Sequence, residues 1–118
     1  MSDVLPAPIA TYFAAATVDE ANRDVAFAAD AIVIDEGRAH RGRAEIKAWR
    51  DRSILDAKIT YHNLRSEIRG GETMVTAEID GNFDRTGLPN PLDLDFHFVL
   101  RGDEIVLLVI LLPKRPTA

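Results

Sequence analysis

The sequence predicts an α+β domain, helices first and sheet after, and three observations predict it. Apolar residues recur at three- and four-residue spacing in the first half, at Ile9, Tyr12, Phe13 and Ala16 and again at Ile46 and Trp49. From Lys58 the period changes to two and holds through four runs punctuated by glycine-containing turns. A length of 118 residues suffices for one hydrophobic core and leaves each half too small for its own. A single domain over 1–118 is therefore expected, with its core at about 8–112 and short loose ends.

Pro8 opens the first helix, expected over Pro8 to Val18, because a missing N–H costs nothing in the first turn. Asp19 reads as the N-cap of a second helix through Phe27, with Ala21, Val25 and Ala28 on one face and Glu20 favouring the helix start. The β-branched run Ala31 to Glu36 reads as a strand closed by Gly37, followed by a loop from Arg38 to Gly42. A third helix is expected over Arg43 to Ile54, turning Ala44, Ile46 and Trp49 to the core.

In the second half Ile59, Tyr61 and Asn63 alternate with Thr60, His62 and Leu64, and Gly70-Gly71 makes a turn. Val75, Ala77, Ile79 and Gly81 share one parity, and a loop over Thr86 to Pro91 follows. Leu94, Phe96, Phe98 and Leu100 then alternate with Asp93, Asp95, His97, Val99 and Arg101, and Gly102-Asp103 leads into Glu104 to Leu112. These four runs read as a meandering antiparallel sheet. The last run, Ile105 to Leu112, has no polar face, so it must be covered on both sides. The domain's own helices supply one cover. A second copy of the chain, paired through the outer sheet face, is the expected other, and internal shielding of the edge is the alternative.

The composition narrows the function classes. A hydrophobic fraction of 47% with 28% charged residues excludes a disordered chain. A formal net charge of -5 argues against nucleic-acid or anionic membrane partners, and the basic cluster Arg38 to Arg43 is too short to reverse that. With no cysteine there are no disulfides, thiolate metal sites or cysteine nucleophiles, which suits a cytoplasmic protein. Residues 1–8 carry no signal-peptide pattern, and Ile105 to Leu112 is too short for a membrane helix. No glycine-rich phosphate loop, HExxH pair or nucleophile elbow is present, so neither metal nor cofactor is expected.

The order helix, helix, strand, helix and four strands resembles the nuclear transport factor 2-like superfamily, including its SnoaL-like and ketosteroid-isomerase-like members. The resemblance rests on Pro8 to Ala16, on Phe27 to Val33 running into the first strand, and on Arg41 to Ile46 entering the third helix. It implies a cone-shaped, strongly curved, mostly antiparallel sheet, closed by three helices around an apolar pocket that takes a small apolar molecule. It does not by itself deliver an activity, since such folds serve isomerases, cyclases, dehydratases and binding domains.

By that resemblance Tyr12 occupies the place of an oxyanion-donating tyrosine and Asp35 that of a general base. Each has a plainer alternative: Tyr12 as a core ring, and Asp35 as a strand-end carboxylate paired with Arg38 or Arg41. Asp35 shares its strand face with Val33, so burial on the cavity side would raise its pKa. The isomerase pattern also wants a second, protonated acid, but that slot falls on Phe96, with Asp93, Asp95 and His97 on the opposite face. His40 or His62 could pair with Asp35 as in SnoaL-type cyclases, although His40 also reads as an exposed loop residue. Phe13, Val33, Trp49, Tyr61, Phe96 and Phe98 are the expected pocket walls. Three readings follow: a cofactor-independent isomerase, cyclase or dehydratase; a non-catalytic ligand-binding or dimeric scaffold domain; or a domain that docks a protein partner on its outer sheet face.

Overall fold

The computed structural model describes residues 5–15, 27–52, 58–83, 86–88 and 91–112. Helix α1 spans Ala7–Ala15, β1 Phe27–Asp35, β2 Arg38–Arg41, α2 Gly42–Arg50, β3 Thr60–Arg69, β4 Glu72–Asp80, β5 Leu92–Arg101 and β6 Glu104–Leu111. The strands form one sheet in the order β2-β1-β6-β5-β4-β3. Only the β1–β6 neighbours run parallel; every other pair is antiparallel. The expected four-strand meander is therefore present as β3 to β6.

Two helices stand among the described residues where three were expected, and the sheet is open, with β2 and β3 at its edges, not curled into a cone. Most of the expected helix from Asp19 to Phe27 lies outside the described residues, as do residues 16–18 of the first helix. Phe27 and Ala28 belong to β1, both fully buried. The carbonyl of Phe27 accepts two hydrogen bonds from the Arg43 guanidinium, at 3.0 and 2.9 Å, which satisfies a backbone group at the strand start and ties α2 to it.

The stretch read as a loop after Gly37 is instead β2, paired with β1 in a two-residue hairpin in which Asp35 lies opposite Arg38. The cause is turn chemistry: Glu36 and Gly37 both have positive φ, 52° and 75°, the pattern of a type I′ turn whose twist matches the strands it joins. In α2, Ile46, Trp49 and Arg50 are buried, and Ala44 is exposed, contrary to expectation. Register shifts interrupt strict alternation in β1 between Phe27 and Ile32, in β5 between Val99 and Leu100, and in β3 between His62 and Arg65. Asn63 sits there at φ 53°, exposed, and the following Leu64 turns toward the core in its place.

One sheet face carries the core. Across the strands, Val33 pairs with Leu108, Leu108 with Phe98, Phe98 with Thr73, and in the next row Phe96 with Ile110 and Val75. Against this face α1 sets Ile9, Tyr12 and Phe13; the Tyr12 ring meets Phe27 and Phe98, and the Phe13 ring Phe98, edge-on at centroid distances of 5.6 to 5.9 Å. Thus α1 fills the end of the sheet where β5 finishes and β6 begins. The opposite end, where β1 and β6 finish and β3 and β5 begin, is left for the cavity.

Candidate functional site

A cavity of about 490 Å³ opens at that end. Five strand termini line it: Asp35 from β1, Ile110 and Leu111 from β6, Leu92, Leu94 and Phe96 from β5, Ile79 from β4 and Tyr61 from β3. Ile59, Leu112, Phe83 and Leu88 complete the apolar wall, and Glu36, Gly37 and Arg52 sit at its polar rim. The volume is that of a site for a small organic molecule.

Asp35 is the polar group this wall surrounds. Its Oδ2 accepts a hydrogen bond from Trp49 Nε1 at 2.9 Å, and it makes no ion pair with Arg38 or Arg41. Burial holds the Asp35 carboxyl above the usual aspartate range; the Trp49 bond and His40 pull it down, while Glu36 adds to the rise. A carboxylate kept short of water in an apolar cavity is the type of group that accepts a proton from carbon.

The other expected site residues divide. His40 lies opposite Val33 in the β1–β2 hairpin, half-buried, with its ring 5.9 Å from the Trp49 ring; it is neither in a loop nor fully exposed. His62 points away from the cavity, exposed, its Nε2 2.9 Å from Thr60 Oγ1. The difference is strand parity: Tyr61 takes the inner face, so its neighbour cannot. Tyr61 and Phe96 line the cavity as expected. Phe13, Val33, Trp49 and Phe98 do not; they are core, because α1 covers their end of the sheet or, for Trp49, because α2 holds the ring beneath β1 and β2.

Tyr12 is also core. It is fully buried beneath the wall, with the Arg50 guanidinium 4.6 Å from its ring centre and Arg50 Nη2 donating to its carbonyl at 3.2 Å. The hydroxyls of Tyr12 and Tyr61 approach each other closely enough to affect each other's ionisation, yet neither has a well-formed hydrogen bond. Burial raises the pKa of both, Tyr61 the more, so both stay neutral phenols. The acids of β5 face outward as expected: Asp95 accepts from Thr76 Oγ1 at 2.7 Å and Asp93 pairs with Arg65 at 3.5 Å. Among the described residues no group of three or more histidines and acids is placed to hold a metal ion.

Solved structures share this fold. A polyketide cyclase-like protein from Sinorhizobium meliloti is 30% identical, with a TM-score of 0.80 over 90% of this chain and 94% of that one. The chain belongs to the nuclear transport factor 2-like superfamily. Two more distant members share the fold: a ketosteroid isomerase-like protein from Catenulispora acidiphila, solved with trimethylamine, at 22% identity, TM-score 0.68 and coverage of 91% and 85%, and a polyketide cyclase-like protein from Xanthomonas campestris at 19% identity, TM-score 0.72 and coverage of 88% and 86%. No protein-family model and no curated protein matches the sequence of this superfamily member.

The lining residues that sequence reasoning missed include Glu36, Gly37 and Arg52 at the rim, Ile59, Ile79, Leu92, Leu94 and Ile110 to Leu112 on or beside the strands, and the loop side chains Phe83 and Leu88. Leu92 and Leu94 had a usable signal, since they share the parity of Phe96. The loop residues had none, because they belong to no periodic run.

Proposed function

We propose that this superfamily member is a small-molecule pocket protein that carries out proton transfer on an apolar ligand, with Asp35 as the base, in the manner of a cofactor-independent isomerase or cyclase. The observation that carries the reading is a desolvated carboxylate, unpaired with any cation among the described residues, on the wall of an otherwise apolar cavity. The names of the similar structures support the same class. Tyr61, not Tyr12, is the phenol nearest a ligand, since its ring forms part of the wall. His40 acts on Asp35 only through its charge.

The test is exchange of acidic C–H protons for deuterium in a panel of bicyclic and tricyclic ketones, followed by NMR in heavy water, with binding measured in parallel. The expected result is binding by the parent and by Asp35→Asn, with exchange in the parent alone. Binding without exchange in the parent moves the protein to the second reading, a non-catalytic ligand carrier, which the buried position of Tyr12 favours because it leaves the donor set incomplete.

The same reading includes a homodimer through the outer sheet face, supported by Ile32, Ile34, Leu107 and Val109, which no helix covers among the described residues. Among the described residues no helix is long and apolar enough to cross a membrane, and the absence of cysteine supports a cytoplasmic setting.

A further inference from the structure

Trp49 is the only tryptophan of the chain, 1% exposed, and its indole N–H is spent on one oxygen of Asp35. We propose that Trp49 is the positioning residue of the site: it pins Asp35 Oδ2 and leaves Oδ1 as the single oxygen offered to a ligand in the cavity. This rests on the reading of Asp35 as the base.

The geometry makes the arrangement rigid. Trp49 sits in the last turn of α2, a helix packed on β1 and β2 and tied to the start of β1 by the paired hydrogen bonds from Arg43 to Phe27. The His40 ring lies beside the indole, 5.9 Å between centroids with an angle of 31° between their planes, so the indole has a further neighbour from β2. Asp35 is meanwhile the last residue of β1, opposite Arg38 across a two-residue turn and beside Ile110 of β6. A carboxylate at a strand end has rotamer freedom that a base for carbon acids cannot use. A donor on a second, independently anchored element removes that freedom.

The bond has an electrostatic consequence as well. A donor to the ionised form lowers a carboxyl pKa, so Trp49 opposes burial and keeps the carboxyl ionisable, as a base requires. The other charged and titratable groups around Asp35 are Glu36 and His40 in the β1–β2 hairpin, Arg52 at the cavity rim beyond α2, and the phenols of Tyr12 on α1 and Tyr61 on β3. Of these, Glu36 also reaches the Asp35 carboxyl through its backbone N–H, and Trp49 is the side chain that donates to a defined oxygen, Oδ2. A side chain kept only for packing would not alter the titration of Asp35 in this direction.

The experiment uses the intact protein labelled with nitrogen-15 and carbon-13. Because there is one tryptophan, one indole N–H cross-peak reports on the bond directly. The expected result is that this peak titrates with the same midpoint as the Asp35 carboxyl carbon, that Asp35→Asn abolishes the shift, and that Trp49→Phe moves the Asp35 midpoint upward. An indole peak that ignores the Asp35 titration overturns the proposal, as does an Asp35 midpoint that stays or falls in Trp49→Phe. Should Trp49→Phe fail to fold, the indole titration of the parent decides alone. Proton exchange in ketones with an indole that ignores Asp35 would sink this proposal and spare the functional reading; the converse pair of results would do the reverse.

Discussion

Asp35 ties the chemistry of the site to the pH dependence of the fold. Its native pKa lies above that of the unfolded chain because burial penalises the charged form. Below the unfolded value both states hold the proton and the residue costs nothing. As pH rises from there through the raised native pKa, the unfolded chain releases its proton first and native stability falls; above that window the cost is constant. Asp35→Asn should therefore raise the urea midpoint at pH 7 while abolishing proton exchange, and the gain should vanish near pH 3. A midpoint unchanged at pH 7 would mean that Asp35 is solvated. The two phenols make a second residue-scale prediction. The Tyr12 hydroxyl is buried without a well-formed bond, so Tyr12→Phe removes an unsatisfied polar group and should leave stability within about 1 kcal/mol of the parent or above it. Urea unfolding measures this, and a loss of several kcal/mol would reveal a hydrogen bond at that hydroxyl.

At the scale of elements, the β1–β2 hairpin shows where the sequence is legible and where it is not. Four residues, Arg38-Ala39-His40-Arg41, carry no apolar alternation, and pairing them to β1 depends on the positive φ of Glu36 and Gly37. Glycine marked the turn, but glutamate at φ 52° did not, because a residue of that type seldom takes this conformation. Glu36→Asn gives the turn the residue it favours and should stabilise the protein by about 1 kcal/mol, read as a higher denaturation midpoint. It also removes the carboxylate that helps to raise the Asp35 pKa, so that pKa should fall. The strands β3 to β6 were legible because parity assigns faces: Tyr61 on β3 and Phe96 on β5 point inward as their neighbours require. Parity does not say how far along a strand the cavity lies. Phe96 and Phe98 have equal parity and both touch Phe13 of α1, yet Phe96 also reaches the cavity wall and Phe98 does not. Phe98→Ala should accordingly cost roughly 3–5 kcal/mol in chemical unfolding, as a packed core ring does. Leu94→Ala, at the cavity wall, should cost less and enlarge the site. Tyr12 stood open between pocket donor and core ring for the same reason, since helix phase gives a direction toward the core and no depth within it; it is core.

For the whole molecule, the two faces of the sheet have different fates. The inner face is closed by α1 and α2 and by its own cavity wall. On the outer face, strand register builds a row from Met74 through His97, Val109 and Ile34 to Ala39, and a second from Glu72 through Val99, Leu107 and Ile32 to Arg41. The apolar members of both rows cluster on β1 and β6, near the middle of the sheet. The charged ones lie toward the edges, where Arg65 meets Asp93, Arg69 meets Glu67 and Glu72 approaches His97 at 2.5 Å. An apolar centre ringed by charges is the anatomy of an interface, and antiparallel contact about a two-fold axis would set one β6 against another with no need for a second kind of surface. The parent should therefore sediment as a dimer at micromolar concentration. Val109→Glu, which places a charge at the centre of that face on a half-buried strand position, should sediment as a monomer while the indole N–H of Trp49 keeps its resonance on the other side of the sheet. A parent that sediments as a monomer at every concentration would show that β6 keeps its outer side chains half-covered by its own sheet neighbours, and would return Ile105 to Leu111 to the status of a strand shielded from within.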